Sequence, residues 1–322
     1  MKKLIFIIIL ATVFSASAQT AGEKETLVKL NETVISLYRS QKFDEAVKPA
    51  QQAVDLNIKI YGLERRETAV AYTNLGVIYR EKRKYKDSVE NLQKAADIYQ
   101  KIPDAKGAET FSAYEALAFS QFLDGRKTEA EASYLKTIEI ADSKFGKESK
   151  ESFSPSLNLA SVYARNQKSD EAAAFYLKAY ALAIKNFGKE SKEVEKIDDS
   201  RVCSANYGKT GDVEKYKAFE EAKSSLFGTN GGEKVRVLNG KAVSLPQPAY
   251  PAEAREQRLS GTAPIKVKID EQGNVIEAKS ICRGDALGRA AAQAALKAKF
   301  SPTVVDGKPM QVTGVITYNF IL

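Results

Sequence analysis

A repeat with a period of 42 residues constrains this chain more than any other feature. FGKESKE stands at 145–151 and again at 187–193, and the same step backwards reaches PDAKGAE at 103–109 and YGLERRE at 61–67. Glu67, Glu109, Glu151 and Glu193 therefore share one position of the register, and Ala46, Ser88, Ala130 and Ala172 share another. Between these marks the apolar residues fall at helical spacing. One unit has Leu75, Gly76 and Tyr79, then Tyr85, Ser88, Leu92 and Ala95; another has Leu159, Ala160 and Tyr163, then Ala172, Tyr176 and Ala179. Each unit is thus expected to be a pair of helices. One pair cannot bury both of its faces, so neighbouring pairs must stack to complete the core.

Small residues at Gly76, Ala118 and Ala160 let the first helix of a unit approach the second, with Tyr79, Leu92, Tyr134, Tyr163 and Tyr176 filling the space around the contact. These residues resemble the tetratricopeptide pattern in the longer-loop form of kinesin light chains. The resemblance covers residues 27–225, with four clear units and a degenerate fifth in which NYGKTGDVEKY keeps Tyr207 and Gly211. A degenerate last unit suits a solenoid cap. The resemblance implies an α-superhelix whose concave side holds a protein or peptide segment of unknown identity. Asn74 and Asn158 recur at one repeat position, where they could either bond an extended peptide backbone or satisfy a neighbouring helix end. Glu32 and Ala116 occupy that position in the other two units.

The texture changes after the repeats. GTNGGEK has glycines at 228, 231 and 232 and reads as a linker over 228–234, placing the repeat domain at 19–227 and a second domain at 235–322. VRVLNGKAV, residues 235–243, carries a hairpin signal in Asn239-Gly240. Pro251 suits the first turn of a helix with Ala252, Ala254 and Leu259 on one side, ended by Gly261. The period then becomes two. Ile265, Val267 and Ile269 alternate with Lys266, Lys268 and Asp270, and Val275 to Ile281 returns after Glu271-Gln272-Gly273. Asp285 can cap a helix with Leu287, Ala290, Ala291, Ala294 and Ala298 inward, and Val312, Gly314, Ile316, Tyr318 and Phe320 alternate in a last strand. So few strands cannot close a barrel, and their edges stay open unless something covers them.

PAYP at 248–251, Gly261, IKVKIDEQGNV, the alanine-rich helix ending in Phe300-Ser301-Pro302, Gly307-Lys308-Pro309 and VTGVITYNF resemble, in order and spacing, the C-terminal domain of the TonB family. The whole is then a multidomain chain: an all-α tetratricopeptide superhelix followed by a small α+β domain with an antiparallel sheet of about three strands and two helices. In that family the domain grips a short extended segment, the Ton box, of an outer-membrane receptor by adding it to the sheet edge. Carried over, the partner-binding edge is Gln311, Val312, Thr313, Val315, Ile316, Thr317, Tyr318, Asn319 and Phe320, with Tyr250 and Pro251 beside the docked segment or, for Tyr250, simply packed under the first helix. Two copies could also pair through these edges.

Lys2 and Lys3, an apolar run from Leu4 and the small residues Ala16-Ser17-Ala18 read as a secretory signal over 1–18, removed before Gln19. The alternative is an uncleaved anchor, although a spanning helix needs about 20 apolar residues. The expected location is accordingly the periplasm, or the inner membrane facing it. The family's energy transducers have a histidine-bearing membrane helix and a long proline-rich spacer; here there is no histidine and there are 9 prolines in all. Without histidine the commonest general base and metal ligand are missing, so no catalytic, metal or cofactor site is expected. Cys203 and Cys282 are expected as buried free thiols, although an exported chain permits a bridge. Residues 233–322 carry 13 basic and 8 acidic side chains, which suits an acidic peptide or an anionic envelope surface and not nucleic acid. The leading expectation is a non-enzymatic periplasmic interaction protein; the alternative is a membrane-anchored energy transducer for outer-membrane transport.

Overall fold

The computed structural model describes residues 21–102, 107–204, 221–223, 225–226, 241–305 and 307–322. The leader, most of the degenerate fifth unit, the linker and the Asn239-Gly240 turn lie outside the described residues. The chain divides between Gly188 and Lys189 into two compact units.

The first unit is a run of helices: α1 (Ala21–Arg39), α2 (Phe43–Tyr61), α3 (Arg66–Glu81), α4 (Tyr85–Lys101), α5 (Ala108–Leu123), α6 (Lys127–Phe145), α7 (Phe153–Arg165) and α8 (Ser169–Phe187), each packed on the next. Close approach inside a pair depends on the small residues. A Cβ built on Gly76 would stand 2.5 Å from Leu92 Cγ, and Ser88, wholly buried, donates to the Gly76 carbonyl at 2.7 Å and is hydrogen-bonded to the Ser120 hydroxyl at 2.8 Å. Larger side chains at 76 would push α3 and α4 apart.

The 42-residue step also recurs in the backbone. Gln41, Arg83, Gly125 and Gln167 all have positive φ, and the next residue's N–H reaches back to close the first helix: Lys42 to Leu37 O, Lys84 to Tyr79 O, Arg126 to Gln121 O and Lys168 to Tyr163 O. This is the left-handed cap that ends many helices. The second helix of a pair ends differently. Gly62, Gly146 and Gly188 combine φ of 95°, 98° and 91° with ψ of 166°, 150° and 160°. That region is open essentially to glycine alone, so Gly146→Ala is expected to cost the first unit about 1–3 kcal/mol. A denaturant midpoint unchanged by the substitution would show that the loop relaxes freely.

The second unit opens with α9 (Lys192–Ser204) and continues through β1 (Ala242–Ser244), α10 (Ala252–Glu256), β2 (Gly261–Ile269), β3 (Val275–Ser280), α11 (Ala286–Ala295), β4 (Lys299–Phe300), β5 (Val304–Val305), β6 (Lys308–Pro309) and β7 (Val312–Phe320). Three strands form an antiparallel sheet in the order β3-β2-β7, while β1 pairs with β4 and β5 with β6. Ala242 and Val243, the described part of the expected hairpin strands, thus belong to a strand that pairs with β4. Alternation decides the faces. Ile265, Val267, Ile269, Ile316, Tyr318 and Phe320 turn inward onto Leu287, Ala291, Ala294 and Ala295 of α11. Asp285 caps α11 by accepting from Gly288 N at 3.1 Å and is held by Arg283, the first cause of a carboxyl pKa below the ordinary range. Ala252, expected on the inner side of α10, is exposed, and Pro251 is the cap before the helix, not its first residue.

The cysteine expectation is overturned. Cys203 and Cys282 form a disulfide across 79 residues of sequence, joining the end of α9 to the connection between β3 and α11. Both lie in the second unit. Separation along the chain conceals the close approach that a bridge requires.

Candidate functional site

The site is built from the outer strand of the sheet. β2 lies between β3 and β7, in register with β7 from Gly261↔Phe320 to Ile269↔Val312 without a bulge. In an antiparallel strand the N–H and C=O of one residue point to the same neighbour, and successive residues alternate. Ile281 N donates to Pro264 O at 3.4 Å, so Pro264 faces the β3 side. Thr262 O, accepting from Arg283 Nη1, faces that side too. Ile265 and Val267 must then face β7, and their partners Ile316 and Gly314 face back. The residues between them, Thr313, Val315, Thr317 and Asn319, direct their backbone groups outward. Among the described residues no strand pairs with that side.

The two edges of this sheet differ in how they are guarded. β3 has Glu277 and Lys279 on it, is six residues long, and carries a register shift opposite Lys268 and Ile269. α9 is tied to this strand by Lys279, whose Nζ lies 4.0 Å from Glu195, and by the disulfide just past it; Lys266 of the central strand also reaches α9, with Nζ 3.0 Å from Glu195 Oε1 and 3.4 Å from Asp199 Oδ1. The bond from Lys266 holds the Glu195 carboxyl below its ordinary pKa. β7 has none of these devices. Gln311 to Phe320 contains no charge and no proline. Folded proteins blunt exposed edges with charge, proline, bulges or a covering element, so a long bare edge is a place where another strand can add.

The expected partner residues occupy distinct positions on this edge. Ile316, Tyr318 and Phe320 are buried, Val312 is half-buried, and Gln311, Thr313, Val315, Thr317 and Asn319 are exposed. Tyr250 meets the far end of β7: its ring stands edge-on to Phe320 with centroids 5.8 Å apart, the Arg255 guanidinium lies 5.7 Å from the Tyr250 centroid, and the Tyr250 hydroxyl donates to Leu259 O. Tyr250 is therefore partly core and partly rim. Pro251 next to it caps α10 and is half-buried. Arg255 gives no signal in the sequence, because a lone arginine on a short helix means little until its aromatic neighbour is placed.

In the repeats, Asn74 on α3 and Asn158 on α7 are both half-buried. Burial pushes the Tyr134 hydroxyl well up in pKa, and the Asn158 side chain at that hydroxyl acts the other way. Among the described residues no cluster of three potential metal ligands exists, and no helix is long and apolar enough to cross a membrane.

Residues 246–322 match the family model of the Gram-negative bacterial TonB protein C-terminal, and residues 26–101, 67–143 and 108–185 match the tetratricopeptide repeat. Protein TonB of Vibrio cholerae serotype O1 is 36% identical over 66 residues, which are 20% of this chain and 27% of that protein. The chain spans about a quarter of the length of that relative. Among solved structures, a putative kinesin light chain from Podosopora anserina with nearly identical TPR-like repeats covers 65% of this chain and 99% of its own, with 17% identity and a TM-score of 0.51. A substituted form of that same protein gives 0.52 over the same shares. The repeats thus have the kinesin-light-chain-like fold, and residues 246–322 of the sheet unit match the TonB C-terminal family model.

Proposed function

We propose that the chain is a non-enzymatic cell-envelope protein whose sheet unit captures an extended segment of an outer-membrane, TonB-dependent receptor by strand addition to β7, while its repeats hold a second protein or peptide. The supporting observation is the asymmetry of the sheet: β3 is short, charged and tied to α9, whereas β7 offers outward backbone groups at Thr313, Val315, Thr317 and Asn319 over a run with no charge. Main-chain hydrogen bonds supply affinity in this mode, and flanking side chains supply choice. Tyr250, Pro251 and Phe320 flank the far end of the docked segment, and the exposed side chains of β7 flank it on the open face. The reading places the protein in the periplasm.

The test is calorimetry with the full chain and a synthetic Ton-box-like receptor segment, set against the same peptide N-methylated at alternate residues. Methylation removes amide donors and leaves every side chain in place. The unmodified peptide is expected to bind, and methylation in the phase that faces β7 to abolish binding. Equal affinity for both methylation phases and the parent would mean that side chains alone are recognised.

A further inference from the structure

We infer that the pole of the second unit around the β2–β3 turn is a docking surface for an anionic lipid leaflet. Several segments converge there. Asn274 bridges to Lys299, Phe300 N donates to Gly273 O at 2.8 Å, Ser301 N donates to Lys241 O at 2.9 Å, and Met310 N donates to Thr303 O at 2.9 Å. These bonds bring β1, β4 and the β5–β6 hairpin to the end of the sheet where β7 begins. This pole is distinct from the outward groups of β7, so the inference does not rest on strand addition.

The pole is both basic and apolar. Lys241, Lys297, Lys299 and Lys308 are exposed, and among the described residues none has an ion-pair partner. Three acids of the same segments, Asp270, Glu271 and Asp306, offset them in part and leave the four lysines in excess. The Asp270 carboxylate accepts from Gln272 N, Asn274 N and Asn274 Nδ2 within its own turn and stays ionised, and Glu271 is exposed. The same segments also expose Val243, 67% exposed, Leu296, 48%, Val304, 45%, and Met310, 40%. Aliphatic side chains exposed to this degree protrude, which suits insertion among lipid headgroups better than the lining of a peptide groove. Cationic side chains add attraction to an anionic leaflet that weakens with salt.

The chain contains no tryptophan, so Met310→Trp introduces a single reporter at the pole of the full protein. With vesicles containing about one-third phosphatidylglycerol, its emission is expected to shift to the blue and to be quenched by brominated acyl chains. Vesicles of phosphatidylcholine alone are expected to leave it unchanged. Each lysine near the surface contributes about fivefold, so replacing Lys241, Lys297, Lys299 and Lys308 by Gln in that background should lower partitioning several-hundredfold, roughly the product of four such factors. Val304→Asp, which keeps the lysines, should lower it as well. All these sites are exposed, and circular dichroism checks that the fold persists. Emission that ignores anionic vesicles, or that shifts equally with neutral ones, would overturn the inference. So would a shift given by poly-glutamate and not by vesicles, which would assign the pole to an acidic protein.

Discussion

Thr317→Pro is expected to weaken capture of the receptor segment by roughly ten- to a hundredfold while the protein stays folded. Proline removes the backbone donor at its own position and puts a ring in the donor's place. At Thr317 that donor faces away from β2, so the sheet loses no internal bond, and proline is tolerated where an edge-strand N–H points outward. The incoming carbonyl, in contrast, loses its partner at a cost of about 1–3 kcal/mol. Val315→Pro acts in the same phase, and the two together should abolish binding. Ile316→Pro separates recognition from stability: Ile316 pairs with Ile265 and is buried, so proline there breaks the β2–β7 ladder and lowers the stability of the unit itself. Peptide titration with thermal melting of the three variants reads both quantities. A Thr317→Pro variant that melts normally and binds normally would remove β7 as the docking edge.

Reduction of Cys203–Cys282 is expected to lower the stability of the second unit by about 4 kcal/mol. The bridge spans 79 residues, and closing a loop of that length in the unfolded chain accounts for about 4–5 kcal/mol on the chain-entropy description, within a usual range of about 2–5. No other disulfide can form, because these are the only 2 cysteines of the chain. With the bridge gone, α9 is held to the sheet by Lys266 and Lys279 on Glu195 and Asp199, pairs that salt screens. Urea transitions of the full chain with and without a dithiol, beside a Cys203→Ser, Cys282→Ser double variant, measure the effect. The double variant should match the reduced wild type and ignore the dithiol. Coincident transitions in all four samples would show that α9 docks without covalent help.

The repeats are legible in the sequence because each apolar position is set by one local period and then copied at the next unit. The alternation of Val312 to Phe320 is legible for a similar reason: side-chain direction in a strand depends on the strand alone. What stays hidden depends on partners distant in sequence. Which backbone groups of β7 face outward is fixed by the register with β2, which stands far earlier in the chain, and only the Ile281–Pro264 and Arg283–Thr262 bonds reveal it. The disulfide is hidden because sequence separation says nothing of spatial approach. The turns between paired helices are hidden because Gln41, Arg83 and Gln167 adopt the left-handed conformation without being glycine. Their period, read from the backbone, is as strict as that of FGKESKE.

Amide hydrogen exchange along β7 tests the bare edge most directly. In the free protein the amides of Gly314, Ile316 and Tyr318 should exchange slowly and those of Thr313, Val315 and Thr317 rapidly; saturating receptor peptide should slow the second set and leave the first unchanged. Slow exchange at Thr313, Val315 and Thr317 before any peptide is added would contradict the account, because it would mean that the edge is already occupied.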